Sequence, residues 1–253
     1  MTMLRIDPGP VTVVTLDRPP ANALTGEVLA EFTELLGRLA TPAVRAVVVT
    51  GSGRCFSAGL DLHDVFDADD AGFAVFTERF DAALAAFFAF PKPVVAAVNG
   101  HAIAGGAVLA AGADFRLMAD GEGRAGLTEI QVGIPFPTSA LEIVRFACAG
   151  PHLPELLYLG NTYRPADACA RRLVDEVVPA ADLLPRARAL AEELGAREPA
   201  AFAATKRALR ADALARIEAA RVGGDPVWRA WRTPAARAAV EAFRRRTIAK
   251  GRA

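Results

Sequence analysis

Pro93-Val94-Val95-Ala96-Ala97-Val98-Asn99-Gly100-His101-Ala102-Ile103-Ala104-Gly105-Gly106 is the stretch on which the fold turns. Its first six residues read as a strand buried on both faces, and Asn99-Gly100 ends it. Small residues from Gly105 to Ala111 then predict a helix. Moving outward, the same alternation recurs. Val11 to Leu16 is rich in β-branched residues and predicts a strand, stopped by Asp17-Arg18-Pro19-Pro20. Glu27 to Leu39 carries Val28, Leu29, Phe32, Leu35, Leu36 and Leu39 at helical spacing. Ala46 to Val49 predicts another buried strand, closed by Gly51-Ser52-Gly53. Phe73 to Phe90 predicts a helix, and Asp114 to Met118 a fourth strand. Strands separated by helices argue for parallel β layers with crossovers.

After Pro135 the character changes. Segments beginning at Ser139, Leu153, Pro165 and Leu183 read as helices, with one short strand at Leu173 to Val178. From Pro199 onward nothing reads as a strand. Apolar and Arg residues interleave there (Trp228, Trp231, Val240, Phe243), the pattern of an oligomer contact or a lid. The division expected is an α/β core over residues 1–197 and a helical region over 198–253, interlocked and without a linker or sequence repeat.

The chain has 253 residues, 29 Lys+Arg against 29 Asp+Glu, and 53% hydrophobic residues. Zero net charge excludes a strongly basic nucleic-acid binder and an acidic solvating tail. Only Lys92, Lys206 and Lys250 among the cations are lysines, and Arg244-Arg245-Arg246 reads as a solvated helix end. Cys55, Cys148 and Cys169 form neither a metal-ligand pair nor a disulfide framework, which points to a reducing cytoplasm. No apolar run is long enough to span a bilayer, and Met1 to Asp7 lacks the apolar core of a signal peptide.

Chemistry is sought first at two glycine-containing turns, Cys55-Phe56-Ser57-Ala58-Gly59-Leu60-Asp61-Leu62 and Asn99 to Gly106. Each can present free backbone N–H groups at a turn or helix start. Two such donors aimed at one point make an oxyanion hole; otherwise the glycines serve tight turns only. Competing motifs fail. Gly51-Ser52-Gly53 lacks the third glycine of a dinucleotide fingerprint, since Phe56 stands there, and no phosphate loop is present. His63, His101 and His152 show no metal spacing. Ser57 does not sit in the elbow of a serine hydrolase. Glu129, in Gly126-Leu127-Thr128-Glu129-Ile130-Gln131-Val132-Gly133-Ile134-Pro135, is flanked by apolar residues. Loss of solvation there would raise its pKa toward the range of a general base; the alternative is a surface loop carboxylate.

At these three segments the sequence resembles the crotonase superfamily, the enoyl-CoA hydratase/isomerase family. The similarity runs from about Val11 to at least Arg210. It includes Leu16-Asp17-Arg18-Pro19, Asn22-Ala23-Leu24, Phe56 to Leu62, Pro91-Lys92-Pro93-Val94, Asn99-Gly100 and Ala104-Gly105-Gly106, in that order. The resemblance implies an α/β spiral of ββα units with a C-terminal helical trimerisation region, as a homotrimer or dimer of trimers. It implies an acyl-CoA thioester substrate, with coenzyme A part of that substrate and no separate cofactor or metal. Backbone N–H groups of Leu60 and Gly105 would hold the thioester carbonyl. Ala58, Asp61 and Leu62, with Ala23 and Leu24, would bind the CoA moiety. Val108, Ile134 and Phe136 are candidates for an apolar acyl pocket, with a plain core role as the alternative. Phe66 and Phe76 are further candidates, in a stretch from Asp64 to Phe76 expected to form a mobile wall.

Two carboxylates serve the family's hydratases. One lies three residues after the second oxyanion glycine, and here that residue is Val108. The other matches Glu129. Water addition needs a held water and proton management, whereas moving a double bond needs one base that takes a proton from C2 and returns it at C4. The three segments are also similar to the mitochondrial-type Δ3,Δ2-enoyl-CoA isomerases, which carry an apolar residue at the Val108 place. The reading is therefore an isomerase acting through Glu129, with a hydratase and an inactive acyl-CoA-binding protein as alternatives.

Overall fold

The structure is a computed structural model that describes residues 2–251, with side chains described through Arg245. The side chain of Arg246 in the expected solvated helix end, and the last two residues of the expected helical region, lie outside what is described. Strands β1 (Leu4–Asp7), β2 (Val11–Leu16), β3 (Ala46–Gly51), β5 (Val94–Val98), β7 (Phe115–Ala119) and β10 (Glu176–Val178) form one sheet in the order β1-β2-β3-β5-β7-β10. β1 is antiparallel to β2, and the remaining pairs are parallel. A second sheet holds the short strands β4 (Cys55–Ser57), β6 (His101–Ile103), β8 (Ala125–Gly126) and β9 (Thr162–Tyr163), in that order.

The helices of the first half are α1 (Gly26–Leu39), α2 (Leu62–Phe66), α3 (Asp70–Ala89), α4 (Gly105–Ala111) and α5 (Glu129–Val132). Three successive units thus run β3-β4-α2, β5-β6-α4 and β7-β8-α5. Each sends one strand into the large sheet and one into the small, then turns into a helix. β4, β6 and β8 are parallel neighbours, so the three strand-to-helix junctions lie side by side. The chain is a spiral of ββα turns although no sequence repeat announces it.

Burial explains the large sheet. Val47, Val48 and Val49 of β3 and all five residues of β5 are buried, with alternate side chains entering different apolar clusters. One cluster faces α1 and α3; the other, including Val48, Val95 and Ala97, is covered by Ala187 and Ala191 of α9 (Leu183–Gly195). The apolar stripe of α1 supplies its buried face, and the Thr25 hydroxyl caps it by accepting from the Val28 N–H.

Two expectations need correction. β1 was not anticipated. Its side chains other than Leu4 are exposed, so as an edge strand it has no apolar run to betray it. Both glycine-containing turns also prove to begin with a strand, β4 and β6, too short to show a period.

The second half contains α6 (Thr138–Ala147), α7 (Leu153–Leu159), α8 (Pro165–Ala170), α10 (Pro199–Gly223), α11 (Val227–Trp231) and α12 (Pro234–Gly251). α10 packs on α3 and α6. Lys206 Nζ donates to Asp114 Oδ2 at 2.7 Å and to the Lys92 carbonyl at 2.9 Å. Arg210 lies 4.2 Å over the Phe88 ring and donates to the carbonyls of Phe88 and Gly112, at the ends of α3 and α4. The helical region is therefore fastened to its own core, and α12 reaches α5. No described helix is long and apolar enough to cross a membrane.

Candidate active site

The residues singled out for chemistry occupy equivalent places in the spiral. Leu60 lies between β4 and α2, Gly105 opens α4 after β6, and Glu129 opens α5 after β8. Parallel pairing of β4 with β6 and β6 with β8 brings the three junctions to one end of the small sheet.

Neither the Leu60 nor the Gly105 N–H has a hydrogen-bond acceptor among the described residues. A Cβ built on Gly105 would fall 3.5 Å from the Leu60 nitrogen. Since a Cβ sits about 2.5 Å from its own nitrogen, the two donor nitrogens are within about 6 Å of each other. The backbone around them is specialised. Gly59 has φ +90°, and a Cβ there would meet the Ile103 carbonyl at 2.7 Å and the Gly105 nitrogen at 3.0 Å. Ala104, just before the second donor, has φ 50° and ψ −124°. A non-glycine residue held there stores backbone strain at the junction. Its N–H donates to the Gly126 carbonyl at 2.8 Å, which ties the second turn to the third.

A buried polar cluster holds the first loop. Asn22, at φ 51°, donates from Nδ2 to the carbonyls of Ser52 and Cys55 at 3.0 and 2.8 Å. Its Oδ1 accepts from the Arg18 N–H at 3.1 Å. Ser57 Oγ donates to the Asn22 carbonyl at 2.8 Å and accepts from the Gly59 N–H at 3.1 Å. Ser57 is fully buried and serves as a strut, which agrees with rejecting it as a nucleophile. The organising part played by Asn22 and Ser57 was not foreseen. An Asn beside Pro-Pro, tolerant of positive φ, was the signal available.

The positions read as CoA-binding come together where two segments cross, Ala58 exposed, Ala23, Asp61 and Leu62 half-buried, and the Leu24 side chain buried in the core. The Leu24 N–H donates to the Gly59 carbonyl at 2.8 Å, and the Asp61 N–H to the Leu24 carbonyl at 3.0 Å. Ala23 and Ala58 flank this crossing. Asp61 caps α2 just before Leu62, and its Oδ2 accepts from Arg18 at 2.8 Å. Burial opposes ionisation of Asp61, but hydrogen bonds from Arg18 and the His63 N–H outweigh it and hold the carboxyl below its usual range.

Glu129 is only 6% exposed, and its Oε2 is buried with no hydrogen-bond partner. Desolvation pushes its pKa up to about 8, opposed only by a hydrogen bond from its own backbone. The helix that carries it is a single turn, closed by Gly133 in the left-handed region at φ 81°. The Ile134 N–H donates back to the Glu129 carbonyl at 3.2 Å. The alternative of a surface loop carboxylate does not fit this burial.

Val108 is wholly buried on α4, one turn beyond Gly105, so an apolar side chain stands where a second acid would be needed. Ile134 and Phe66 are buried and Phe136 is half-buried; all join the large apolar cluster, as does Phe76. The segment expected to form a wall is α2, a turn and the start of α3, held by two arginines of the C-terminal helices. Arg244 donates to the Leu62 carbonyl and, at 2.9 Å, to Asp67 Oδ1. Arg232 donates to the Ala68 carbonyl at 3.0 Å and to Asp70 at 2.6 Å. Arg232 was not singled out beforehand, because its partners lie more than 150 residues away in the chain. Arg244 corrects an expectation: read as part of a solvated helix end, its side chain is only 13% exposed, because it turns onto Leu62 and Asp67. Among the described residues no three His, Cys, Asp or Glu side chains gather as a metal site.

Taken together, the arrangement brings near each other two backbone N–H groups without acceptors, and adds one carboxylate whose protonated form is favoured near neutral pH. Comparison with known proteins gives the family. A family model described as enoyl-CoA hydratase/isomerase matches residues 7–225. A putative enoyl-CoA hydratase of Thermus thermophilus is 38% identical, the match covering 83% of this chain and 84% of the relative. A carnitinyl-CoA dehydratase of Citrobacter koseri is 36% identical over 80% of this chain and 78% of that protein. The solved structure of an enoyl-CoA isomerase from Mycobacterium tuberculosis is 29% identical and superposes with TM-score 0.81 over 87% of this chain and 96% of that one. The fold is also that of human mitochondrial Δ3-Δ2-enoyl-CoA isomerase, at TM-score 0.94 and 24% identity over 98% of this chain and 99% of the human one.

Proposed function

This chain belongs to the enoyl-CoA hydratase/isomerase family, and we propose that within it the protein moves the double bond of a 3-enoyl-CoA to the 2-position. The observation that carries this reading is the buried carboxylate of Glu129, with its Oε2 unpartnered, together with a wholly buried, apolar Val108 at the second-acid position. Ionised Glu129 takes a proton from C2 of the bound thioester. The electron pair of that C–H bond delocalises into the carbonyl, giving a dienolate whose oxygen accepts from the N–H groups of Leu60 and Gly105. Protonated Glu129 then returns the proton at C4, the double bond stands at C2–C3, and the carboxylate is regenerated. No net proton is consumed and no water is needed. An oxyanion donor contributes about 3–4 kcal/mol of transition-state stabilisation, and a general base roughly 10²–10⁴-fold in rate.

In this reading Ala23, Leu24, Ala58, Asp61 and Leu62 contact the CoA moiety, and Val108, Ile134 and Phe136 line the acyl pocket. Coenzyme A enters and leaves as part of the substrate, and no further cofactor takes part. The active assembly is a homotrimer or dimer of trimers, which light scattering reads as three or six times the chain mass.

The test is incubation with a 3-enoyl-CoA and location of the double bond in the product. Conversion to the 2-enoyl isomer is expected, with Glu129→Gln slower by at least about 10²-fold while acyl-CoA binding persists. Full turnover by Glu129→Gln would remove the base assignment. The names of the Thermus and Citrobacter relatives favour a second reading, water addition to or removal from an acyl-CoA. Loss of enoyl absorbance with crotonyl-CoA, faster than isomerisation, would establish that reading instead. Tight acyl-CoA binding with no conversion of any thioester would mark an inactive binding protein.

A further inference from the structure

α11 places two tryptophans, the only two in the chain, against the walls of the site. Asp225, at the turn before it, accepts from the N–H groups of Val227 at 3.0 Å and Thr138 at 2.6 Å, which fixes the start of α11 against α6. Trp228 Nε1 donates to Asp81 Oδ2 at 2.9 Å, and Ser139 Oγ donates to the other oxygen of that buried carboxylate at 2.6 Å. The Trp228 ring meets that of Trp231 at 4.8 Å between centroids. Trp231 is thereby held, and is only 1% exposed.

Trp231 touches both sides of the site. Its Nε1 donates to the Pro135 carbonyl at 2.9 Å, between Ile134 and Phe136 on the turn that follows Glu129. Its ring stacks on Phe66, at 5.9 Å between centroids and 8° between planes, and Phe66 ends the helix that follows the Leu60 donor. One rigid indole thus bridges the element after the base and the element after the first oxyanion donor. If the carbonyl is held at Leu60 and Gly105 with Glu129 beside C2, the acyl chain is directed toward these two elements and the indole that bridges them.

We propose that Trp231 is the end wall of the acyl pocket, a specificity-determining residue that restricts the protein to short-chain acyl thioesters. The inference rests on the reading of Glu129 and the two donors only for the direction in which the acyl chain lies. Trp228 and Asp81 are positioning residues that hold the wall.

The test is binding of saturated acyl-CoAs from butyryl to dodecanoyl, alongside turnover of the matching 3-enoyl-CoAs. Parent protein is expected to prefer butyryl or hexanoyl over dodecanoyl. Trp231→Ala is expected to move the preference toward long chains, raising the dodecanoyl-to-butyryl affinity ratio at least about tenfold. Each newly buried methylene contributes roughly fourfold, so fewer than two of them suffice. Trp231→Leu should give a smaller shift in the same direction. If these variants fold and the ratio stays at its parent value, the proposal is overturned and Trp231 is packing alone. Should they fail to fold, Trp228→Phe leaves Trp231 as the single indole. Its emission is expected to change on adding hexanoyl-CoA but not CoA; no change with any chain length overturns the proposal. A shifted binding profile without any isomerisation would defeat the proposed reaction and leave the wall standing. Isomerisation with an unmoved profile would do the reverse.

Discussion

Two regions meet around Glu129 and use different atoms to do so. In the proposed reading, the spiral of residues 46–132 offers a ligand main-chain N–H groups just after strand ends, plus one carboxylate. In the helices of residues 199–251, the hydrogen bonds that reach the walls of the site come from side chains: Trp231 to Pro135, Arg232 to Ala68 and Asp70, Arg244 to Leu62 and Asp67. Donors built from backbone are indifferent to the side chain of the residue that bears them and sensitive to anything that shifts the loop. Contacts built from side chains can be exchanged singly. The spiral therefore suits the step common to a family's chemistry, and the helical cover suits what differs between substrates.

The sharpest way to break this contrast is to change the spiral without touching a charged group. Gly59→Ala would push a methyl toward the Gly105 nitrogen and the Ile103 carbonyl, at a residue whose φ already excludes most side chains. Loss of one donor's alignment predicts a fall in kcat of about 10²–10³-fold. Leu60→Ala alters the side chain of a donor residue and should cost less than about tenfold, since its N–H stays. Equal losses in the two variants would refute the main-chain assignment.

The carboxylate gives the next effect. With its pKa raised to about 8, Glu129 is mostly protonated in the free protein at neutral pH. A base must be ionised, so kcat/KM is expected to climb by about tenfold per pH unit below pH 8 and level off above it. Stability moves the other way. Below the ordinary value of 4.5 both folded and unfolded chains hold the proton; between 4.5 and about 8 only the folded chain does, so stability falls as pH rises across that window. Glu129→Gln, which removes the ionisation, should match the parent in Tm at pH 4 and exceed it by roughly several degrees at pH 8. A Tm difference independent of pH would show the carboxyl to be solvated.

The smallest effect belongs to the cover. Arg244→Ala removes the bonds to Leu62 and Asp67 and is expected to destabilise by about 1–2 kcal/mol in chemical denaturation. With the donors untouched, KM for the thioester should rise and kcat should hold. A fall in kcat as large as that of Gly59→Ala would mean that the helices set the donors too.

What could be read beforehand follows from length and period. The strands of the large sheet stood out as apolar runs such as Val94 to Val98, and α1 through its stripe from Val28 to Leu39. β4, β6 and β8 did not, because strands of two or three residues show no period and their glycines read as turns. Leu60, Gly105 and Glu129 could be named from motif, and so could the segments around Leu24 and Asp61. The struts could not: Asn22 with Ser57, and Arg232 and Arg244 with the wall, act across chain separations that no local pattern encodes. Trp231 was visible only as one of several apolar residues in an amphipathic tail; its bridging of Phe66 and Pro135 needed coordinates.

The small sheet also acts as a ruler. Neighbouring strands in any β-sheet lie about 4.8 Å apart. Two N–H donors that share one oxygen, each about 2.9 Å from it, are separated by nearly that same interval when the angle at the oxygen is close to tetrahedral. Leu60 and Gly105 follow the ends of the adjacent strands β4 and β6 by three and two residues, so backbone pairing brings them to about that spacing. If the two N–H groups share a thioester oxygen, strand spacing sets the interval between them, the struts of Asn22 and Ser57 set their direction, and the third strand end is left to carry the carboxylate.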